Sequence, residues 1–515
     1  MTQQIDDFIV IGSGFGGAIP ASHLTDAGFK VTVLERGPWR DTVPVRSMGI
    51  PNRASYPQGW KFYSHILRTL HAPFLPKNGL TVNKRGMYEF FVNKGIYNVC
   101  TAAVGGGSHA YSGLHQRATV ENYWDGHSDS VSSQSMEKHY QAVMARFGSR
   151  QRTAEDKVPN TTTERFSDSD TFSDDNGYDA PAFGLLLPEE PGRPKKIVNE
   201  DGIERYESAY DDDSFLGSER GVKSTLDFVY LAPAMKKGLV VRDMCEVTGI
   251  QRLGEGEGSL YRVDAVDHHA MGSQSFYARK VILAAGAMNT LKLLFHSRDV
   301  TGGLIGMPAL GKGVGANGDY GGYWSLNDQS TDFTQGLTIH GPVGIKGVEK
   351  TYLVLGGITG LQHIPLPGRL KNRLRRDAFL GGMGADAADG TASYPNGRLR
   401  IEYNAANSQI FKDIKRAMQL AQEASGKTVH CMETPFTVHT CGGARLGSTI
   451  ENGVVDGNGE VFDNPGLYVT DAAALPGAPG GPPSMSIAAW AAHVAERIIE
   501  RHPRVANPKR SKNAA

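Results

Sequence analysis

The chain has 515 residues, which suggests two to four domains at the usual size of about 150 residues each. Hydrophobic residues make up 40% and charged residues 21%, and Lys+Arg and Asp+Glu both number 54. This composition is ordinary for a globular enzyme, and its balanced charge gives no argument for nucleic acid or an anionic membrane as a partner.

The opening residues and the cysteines indicate where the protein works. Residues 1–7 have neither the basic segment nor the apolar core of a signal peptide, and no apolar run approaches the ~18 residues of a transmembrane helix. Cys100, Cys245, Cys431 and Cys441 form no Cys-x-x-Cys pair, so neither zinc nor covalent haem is indicated and we expect no metal. We therefore expect a cytoplasmic protein with reduced thiols and no membrane span.

The most specific pattern lies near the N-terminus. An apolar strand ends at Ile11 and runs into Gly12, Gly14 and Gly17, and a helix and a second apolar strand ending at Glu35 follow. Gly12 permits the turn, Gly14 lets the backbone approach a pyrophosphate, and Gly17 lets the helix lie close to the strand. The helix N-terminus favours phosphates, and Glu35 is suited to a ribose diol. An isolated glycine motif is also typical of an ordinary turn, but this order of elements predicts dinucleotide binding.

Later elements are predicted from periodicity and turn residues. Pro20 falls one turn into the first helix, where we expect it to remove a hydrogen bond. A second glycine-rich turn occupies 104–108, and the acidic clusters within 150–215 are expected to be solvated loops rather than cation sites. A helix with a Ser or Thr cap is predicted over 224–231. Further predictions are strands over 239–241, 245–250, 280–286 and 466–471, a helix over 289–295, and a closing helix after Pro483.

Several of these segments together resemble one family, the glucose–methanol–choline (GMC) oxidoreductases, and within it the bacterial cholesterol oxidase branch. The segments that carry the resemblance are 9–17 with Glu35, 104–108, 224–231, 283–286, 311–318, 438–443 and 467–477. The resemblance implies an α/β fold with a discontinuous Rossmann-like FAD-binding domain and an α+β substrate domain with a largely antiparallel sheet. The order of elements places the cofactor domain at 1–40, 216–305 and 441–505, the substrate domain at 41–215 and 306–440, and a loose basic tail at 506–515.

The resemblance also implies the cofactor, FAD, and the residues that contact it. Val247 is similar to a residue whose backbone meets the adenine, Asp471 to one that bonds the ribityl chain, and Pro483 opens a helix whose N-terminus stabilises the reduced flavin. The residues assigned to the cofactor are Gly12, Gly14, Phe15, Gly17, Glu35, Gly106, Gly107, Ser108, Val247, Asp471, Pro483 and Met485.

His439 is the predicted catalytic residue. The resemblance places it at the flavin N5, where it takes or orients the alcohol proton while a hydride leaves for the flavin. Histidine suits this role because its unperturbed pKa of about 6.5 allows proton exchange near neutral pH.

Three departures from the family pattern bear on activity. The position of the family's second active-site residue, usually His or Asn, is Pro482, which has no side-chain donor or acceptor. The segment that supplies an isomerising glutamate in cholesterol oxidases has no acid over 352–357. Tyr111 stands where those oxidases have Asn. His109 is offset by one residue from a site of covalent FAD attachment in some relatives, so we expect FAD to be bound non-covalently. Tyr111, His109 or Asn317 are candidates to replace the lost polar group.

The sequence therefore predicts an FAD-dependent oxidoreductase that removes a hydride from the CH–OH group of a bulky alcohol. The substrate is predicted to be sterol-like, terpenoid-like or glycosidic, with dioxygen or another acceptor taking the electrons and with no nucleic acid as partner. Pro482 leaves two alternatives open, a re-purposed flavoenzyme with desaturating, lyase-like or decarboxylating chemistry and a silent flavin-binding protein.

Overall fold

The structure is a computed structural model that describes residues 5–211, 213–254, 260–348 and 351–503. The predicted tail at 506–515 and the middle of the acidic cluster at 211–213 lie outside these residues. No helix among the described residues has both the length and the apolar character needed to cross a membrane. The α-helices are Phe15–Asp26, Val43–Ser47, Phe62–His65, Ser133–Arg146, Thr162–Phe166, Ala232–Lys236, Ala287–Phe295, Gly368–Leu374, Gln409–Ser425 and Ser484–Arg501.

The first sheet gathers strands from both ends and the middle of the chain. In spatial order its strands are Val240–Arg242, Val31–Leu34, Ile5–Ile11, Gly272–Leu283, Leu260–Asp267 and Cys245–Leu253, and Leu467–Val469 also pairs with Gly272–Leu283. The pairs nearest the N-terminal strand are parallel, whereas the last three strands of the order form an antiparallel extension.

The register of the parallel strands brings their ends together. Ile11 pairs with Leu34 on one side and with Leu283 on the other, and Leu283 pairs with Val469. Because the carboxyl ends of parallel strands meet at one edge, the turns that follow these four residues lie side by side, which is where ligands bind in open α/β sheets.

Three helices begin at this edge. We call Phe15–Asp26 the first helix, Ala287–Phe295 the middle helix and Ser484–Arg501 the final helix. The first and final helices pack against each other and cover the sheet. Residues such as Ile19, Leu24, Trp490 and Val494 are fully buried between these elements.

The first helix runs through Pro20 because another residue replaces the lost donor. Proline has no backbone N–H, so the carbonyl of Gly16, four residues earlier, has no helical partner. The hydroxyl of Thr470 donates to that carbonyl at 2.7 Å, and Thr470 follows the last strand of the first sheet. A residue near the C-terminus of the chain thereby completes the helix near its N-terminus.

Two further sheets face the carboxyl edge, and the second confirms the predicted antiparallel substrate-side sheet. The second sheet has the antiparallel order Ile339–Pro342, Tyr352–Gly356, Ala378–Met383, Tyr320–Trp324 and Val429–Cys431. The third sheet has the order Phe436–Thr437, Ile96–Thr101, Tyr88–Asn93, Leu67–His71 and Leu80–Thr81. A smaller sheet contains Lys312–Val314, Gly390–Ser393 and Arg400–Glu402. The remaining strands form two-stranded sheets, which are Lys196–Val198 with Glu204–Tyr206, Phe172–Ser173 with Gly344–Ile345, and Leu114–His115 with Ala182–Phe183.

The segment over 224–231 differs from the sequence prediction. It forms a π-helical turn, Asp227–Leu231, that continues into Ala232–Lys236, and no side chain caps it. Instead of capping the helix, the Thr225 hydroxyl donates to the Asp227 carboxylate.

Acid lability is expected from a buried histidine in the second sheet. His340 is 1% exposed, its ring stacks on Phe333 with centroids 5.8 Å apart, and neither ring nitrogen has a hydrogen-bond partner among the described residues. Burial lowers the pKa of His340 to about 3. Because the unfolded chain binds this proton more readily, stability falls as the pH drops below the unfolded pKa toward the folded one.

Between pH ~7 and pH ~4, we predict that the free energy of unfolding of the His340→Leu variant falls by about 3 kcal/mol less than that of the parent protein. Urea unfolding at both pH values measures the difference. The same change at the partly exposed His363 is the control for the loss of a histidine side chain. An equal slope for His340→Leu and the parent protein would show that this ring does not control acid stability.

Candidate active site

One large cavity lies at the carboxyl edge of the first sheet and extends to the second and third sheets. Its volume is about 1140 Å³, above the ~300–1,000 Å³ typical of a pocket for one drug-sized ligand. The predicted cofactor residues line one end, and side chains of the second and third sheets line the other. The cavity therefore has room for a cofactor together with a substrate.

The glycines of the two turns fall into two groups. Some are required by the protein itself: Gly12 has φ +96°, and a Cβ at Gly17 would lie 2.0 Å from the carbonyl oxygen of Gly12. Others face open space. A Cβ at Gly107 would meet no protein atom within 4 Å, and one at Gly14 would meet only the Cα of Gly106, at 3.9 Å. At Gly14 and Gly107 a side chain would stand in the cavity, so their small size serves a ligand rather than the fold.

The N-termini of the first, middle and final helices all line the cavity, through Phe15, Ala287 and Ser484. Each helix start has free backbone N–H groups and the positive end of the helix dipole. Three such ends around one cavity favour a ligand with several negative charges, such as a pyrophosphate.

Glu35 lines the cavity and also connects the ends of the first two strands of the chain through hydrogen bonds. Its carboxylate accepts hydrogen bonds from the Ser13 backbone N–H at 3.0 Å, from the Ser13 hydroxyl at 2.7 Å and from the Gly37 N–H at 2.7 Å. Burial raises the pKa of this carboxyl, against the effect of these donors. One acceptor position on Oε1 stays available for a ribose hydroxyl.

Asp471, at the end of the last strand of the first sheet, also both lines the cavity and links two elements of the fold. It accepts hydrogen bonds from the Gly286 N–H at 2.8 Å, the Thr290 hydroxyl at 2.5 Å and the Ala473 N–H at 2.9 Å. It therefore ties the last strand to the N-terminus of the middle helix. Burial raises the pKa of Asp471 to about 6, so near that pH it exchanges between a proton donor and a pure acceptor.

His439 lines the cavity and is paired with a buried carboxylate. Its Nδ1 lies 2.9 Å from Oδ1 of Asp319, and its side chain is 25% exposed against 9% for Asp319. Oδ2 of Asp319 accepts from the Thr437 hydroxyl at 2.7 Å and from the Val438 N–H at 3.2 Å. The Thr437 hydroxyl in turn accepts from the His439 N–H at 2.9 Å. This network holds both ring and carboxylate in place.

The structure brings most of the predicted site residues to this cavity. Those that line it are Gly12, Gly14, Phe15, Glu35, Gly106, Gly107, Val247, Asp471, Pro483 and His439. Gly17, Ser108 and Met485 lie behind its wall and are buried. Ser108 accepts from the Leu226 N–H at 3.1 Å and donates to the Gly105 carbonyl at 2.7 Å, so its hydroxyl is committed within the protein.

The polar candidates for replacing the group lost at Pro482 are engaged elsewhere. Asn317 donates to the Gly481 carbonyl and accepts from the Gly480 N–H, both at 3.0 Å, and thereby fixes the loop before Pro482. Tyr111 lines the cavity, but its hydroxyl donates to the Ser224 carbonyl at 2.7 Å. His109 is fully buried against Tyr56 and outside the cavity lining.

Sequence reasoning missed Asp319 and the contribution of the middle helix. Asp319 directly follows the resembling segment 311–318, and a lone acid after Asn317 and Gly318 is the available signal. Nothing local pairs it with a histidine 120 positions later. Arg36, also missed, lines the cavity and forms an ion pair with the buried Glu89 at 2.5 Å.

The described part of the chain contains no group of three or more His, Cys, Asp or Glu side chains that could hold a metal ion. The four cysteines are free thiols.

Comparison with known proteins agrees with this geometry. Residues 395–491 match a family model described as GMC oxidoreductase. A cholesterol oxidase from Mycobacterium tuberculosis is 24% identical, with 95% of this chain and 90% of that protein covered. A cholesterol oxidase from Acinetobacter baumannii is also 24% identical, with 96% and 95% covered. The solved structure of pyridoxine 4-oxidase from Mesorbium loti has a TM-score of 0.58 at 16% identity, with 96% of this chain and 100% of that chain covered.

The fold, the cavity and these relatives define an oxidoreductase of the flavoprotein type. As the sequence predicted, the chain is similar to GMC oxidoreductases, through the match at residues 395–491, and to bacterial cholesterol oxidases along most of its length.

GMC oxidoreductases use FAD, and the residues present fit that group. The open space at Gly14 and Gly107 leaves room for it. The N-terminus of the first helix suits its pyrophosphate, the N-terminus of the final helix suits the reduced flavin, and Glu35 and Asp471 each keep an acceptor position for its hydroxyl groups.

Proposed function

We propose that this protein is an FAD-dependent oxidoreductase that removes a hydride from the C–H bond beside the hydroxyl of a bulky alcohol. The observation that carries the proposal is the pairing of the partly exposed His439 with the buried Asp319, which line the same cavity as the glycine turns. We further propose that the cofactor domain comprises 1–40, 216–305 and 441–505, and the substrate domain 41–215 and 306–440.

The Asp319–His439 pair is suited to take the alcohol proton. A carboxylate at Nδ1 stabilises the tautomer with hydrogen on Nδ1 and leaves the lone pair on Nε2. Nε2 makes no hydrogen bond to another described residue, so it is available to the substrate hydroxyl. When Nε2 accepts the proton, Asp319 stabilises the imidazolium at 2.9 Å. Bound FAD supplies the acceptor for the hydride.

The far end of the cavity supports a bulky, largely apolar substrate. The ring of Phe379 lies over Gly321 and Gly381, since a Cβ at either glycine would come within 3.0 Å of that ring. The absence of side chains at these positions gives the second sheet a flat aromatic surface. Ile339, Val354, Phe90 and Phe215 complete this apolar end. A sterol-like or terpenoid-like alcohol, or a glycoside with an apolar part, matches this lining.

Non-covalent attachment of FAD is supported by the burial of His109. Its Nδ1 lies 2.8 Å from the Tyr56 hydroxyl and its Nε2 lies 2.6 Å from the Val104 carbonyl. Both ring nitrogens are therefore engaged, and burial lowers the pKa of the imidazole.

Pro482 favours a second candidate function. It lines the same cavity as His439, and Tyr111, Asn317 and His109 all have their polar groups committed to other partners. One histidine alone then holds the substrate oxygen. A flavoenzyme that acts on a group other than an alcohol, by desaturation, lyase-like or decarboxylating chemistry, is the alternative that this feature supports.

A substrate screen without oxygen tests the proposal. We expect the yellow absorbance of the purified protein to bleach when a bulky secondary or primary alcohol is added anaerobically, and to return with dioxygen or an artificial acceptor. The matching ketone or aldehyde is the control and leaves the absorbance unchanged. Turnover of a non-alcohol substrate with no bleaching by any alcohol would favour the second candidate, and a colourless protein that takes up NAD would contradict FAD binding.

A further inference from the structure

A second, smaller pocket shares Lys292 with the cofactor cavity and is lined mainly by cations. Its volume is about 260 Å³, below the ~300–1,000 Å³ of a pocket for a drug-sized ligand. Among the described residues that line it, five are Lys or Arg, one is histidine and one is an acid, although the chain as a whole is neutral. The five cations are Lys77, Lys94, Lys292, Arg398 and Arg400. A concave surface with one sign of charge attracts a small ion of the other sign.

Most of this positive charge is not neutralised within the protein. Lys77, Lys292 and Arg400 make no side-chain hydrogen bond or ion pair with any residue that the structure describes. Nζ of Lys94 lies 3.7 Å from Oε1 of Glu402, but both side chains are largely exposed, so water weakens this pair. Because like charges in one pocket repel each other, an anion that contacts several of them is bound favourably.

Arg398 fixes the shape of the pocket. Its Nη1 donates to the Ala72 carbonyl at 2.6 Å, and its Nη2 donates to the Leu75 carbonyl. These bonds hold the loop that carries Lys77 against the turn that carries Arg398 itself. A Cβ at Gly397 would lie 3.8 Å from Nζ of Lys77, so this ammonium reaches the same turn. Two segments far apart in sequence thereby present their cations to one space.

A buried chain of ionic contacts connects the pocket to the cofactor cavity. Nε2 of His71, which lines the pocket, lies 2.8 Å from Oε1 of Glu89. Oε2 of Glu89 lies 2.5 Å from Nη1 of Arg36, which lines the cofactor cavity directly after Glu35. Lys292 of the middle helix lines both spaces. A charge bound in the pocket therefore changes the electrostatic potential at the end of the cavity assigned to the adenosine ribose.

We propose that this pocket binds a small oxyanion with two or more negative charges, a phosphoryl compound or a polycarboxylate, and that the bound anion weakens FAD binding. Lysine and arginine are the usual partners of both groups. The anion and the negatively charged FAD repel each other and both attract the Lys292 ammonium, so each lowers the affinity for the other by the same factor. The anion site does not depend on the proposed function, whereas its coupling rests on FAD occupying the first cavity.

Isothermal titration calorimetry of the holoenzyme at constant ionic strength tests the anion site, with sodium pyrophosphate and sodium citrate as probes. We expect one site per chain with a Kd below about 1 mM, and the tighter probe identifies phosphoryl or carboxylate as the preferred group. Lys77→Gln/Arg400→Gln should bind both probes at least ~10-fold more weakly. The matched control Arg279→Gln/Lys412→Gln removes one exposed Arg and one exposed Lys outside both cavities and should bind as the parent does.

FAD affinity is measured in parallel, from the flavin fluorescence that appears when FAD dissociates. A saturating concentration of the tighter probe should weaken FAD binding about fivefold in the parent protein and leave it unchanged in Lys77→Gln/Arg400→Gln. The charge-conserving variant Lys77→Arg/Arg400→Lys should keep both anion binding and this effect.

The outcomes separate the anion site from the coupling and from the proposed function. Neither probe binding at about 10 mM, or an equal loss in the matched control, would overturn the anion site. Anion binding with unchanged FAD affinity would contradict the coupling. A protein that binds the anion but neither carries nor takes up FAD would contradict the proposed function alone.

Discussion

His439→Ala is expected to keep FAD and the fold while turnover of the alcohol falls at least ~100-fold, the usual scale for a positioned acid or base. The imidazole lines the cavity and its neighbours Thr437 and Asp319 bond each other without it, so the cavity wall does not depend on the ring. Stopped-flow reduction of the flavin under anaerobic conditions measures the loss directly.

Asp319→Asn separates orientation from proton transfer in the same experiment. An amide is nearly the size of the carboxylate but cannot stabilise the imidazolium, so we expect an intermediate loss of about 10–100-fold and a changed pH profile. His127→Ala, outside the cavity lining, is the matched control and should reduce flavin at the parent rate. Parent-like rates for His439→Ala would remove this histidine from the mechanism.

Gly107→Val is expected to weaken FAD binding by about 100-fold with little change in protein stability. The backbone at Gly107 does not require glycine, and a Cβ there meets no protein atom within 4 Å. The valine side chain instead occupies cavity volume, and overpacking of a well-fitted site costs about 1–3 kcal/mol. Flavin absorbance after purification and titration of the apoprotein with FAD measure the effect.

Gly272→Val is the matched control for this substitution. Gly272 also lacks a positive φ, and its Cβ would meet only the Ala270 carbonyl oxygen, at 3.9 Å, far from the cavity. Its FAD affinity should equal that of the parent. If Gly107→Val retained full FAD content, the cofactor would have to lie away from the second glycine turn.

The sequence predicts the first sheet well because its signals are local. The strand, the glycine turn, the helix and the second strand with Glu35 occur within 35 residues, and each has a distinct pattern. Fully apolar strands are also typical of a parallel sheet that is buried on both faces. The discontinuous order followed from placing later apolar strands beside these first ones.

The parts that sequence reasoning did not predict depend on distant contacts. The role of Asp319 depends on its hydrogen bond with His439, and Thr470 bonds a carbonyl of the helix that begins at Phe15. Such pairings are set by the tertiary fold, and no local pattern contains them.

The closing pieces of the first sheet have a consequence for protein synthesis. Leu467–Val469 and the final helix are synthesised long after their partners, yet the strand pairs with Gly272–Leu283 and the helix packs on Phe15–Asp26. Until these residues have been made, the N-terminal unit has an apolar flank uncovered, and such nascent chains are prone to aggregate. Chaperone supply during synthesis should thus influence the yield of active protein.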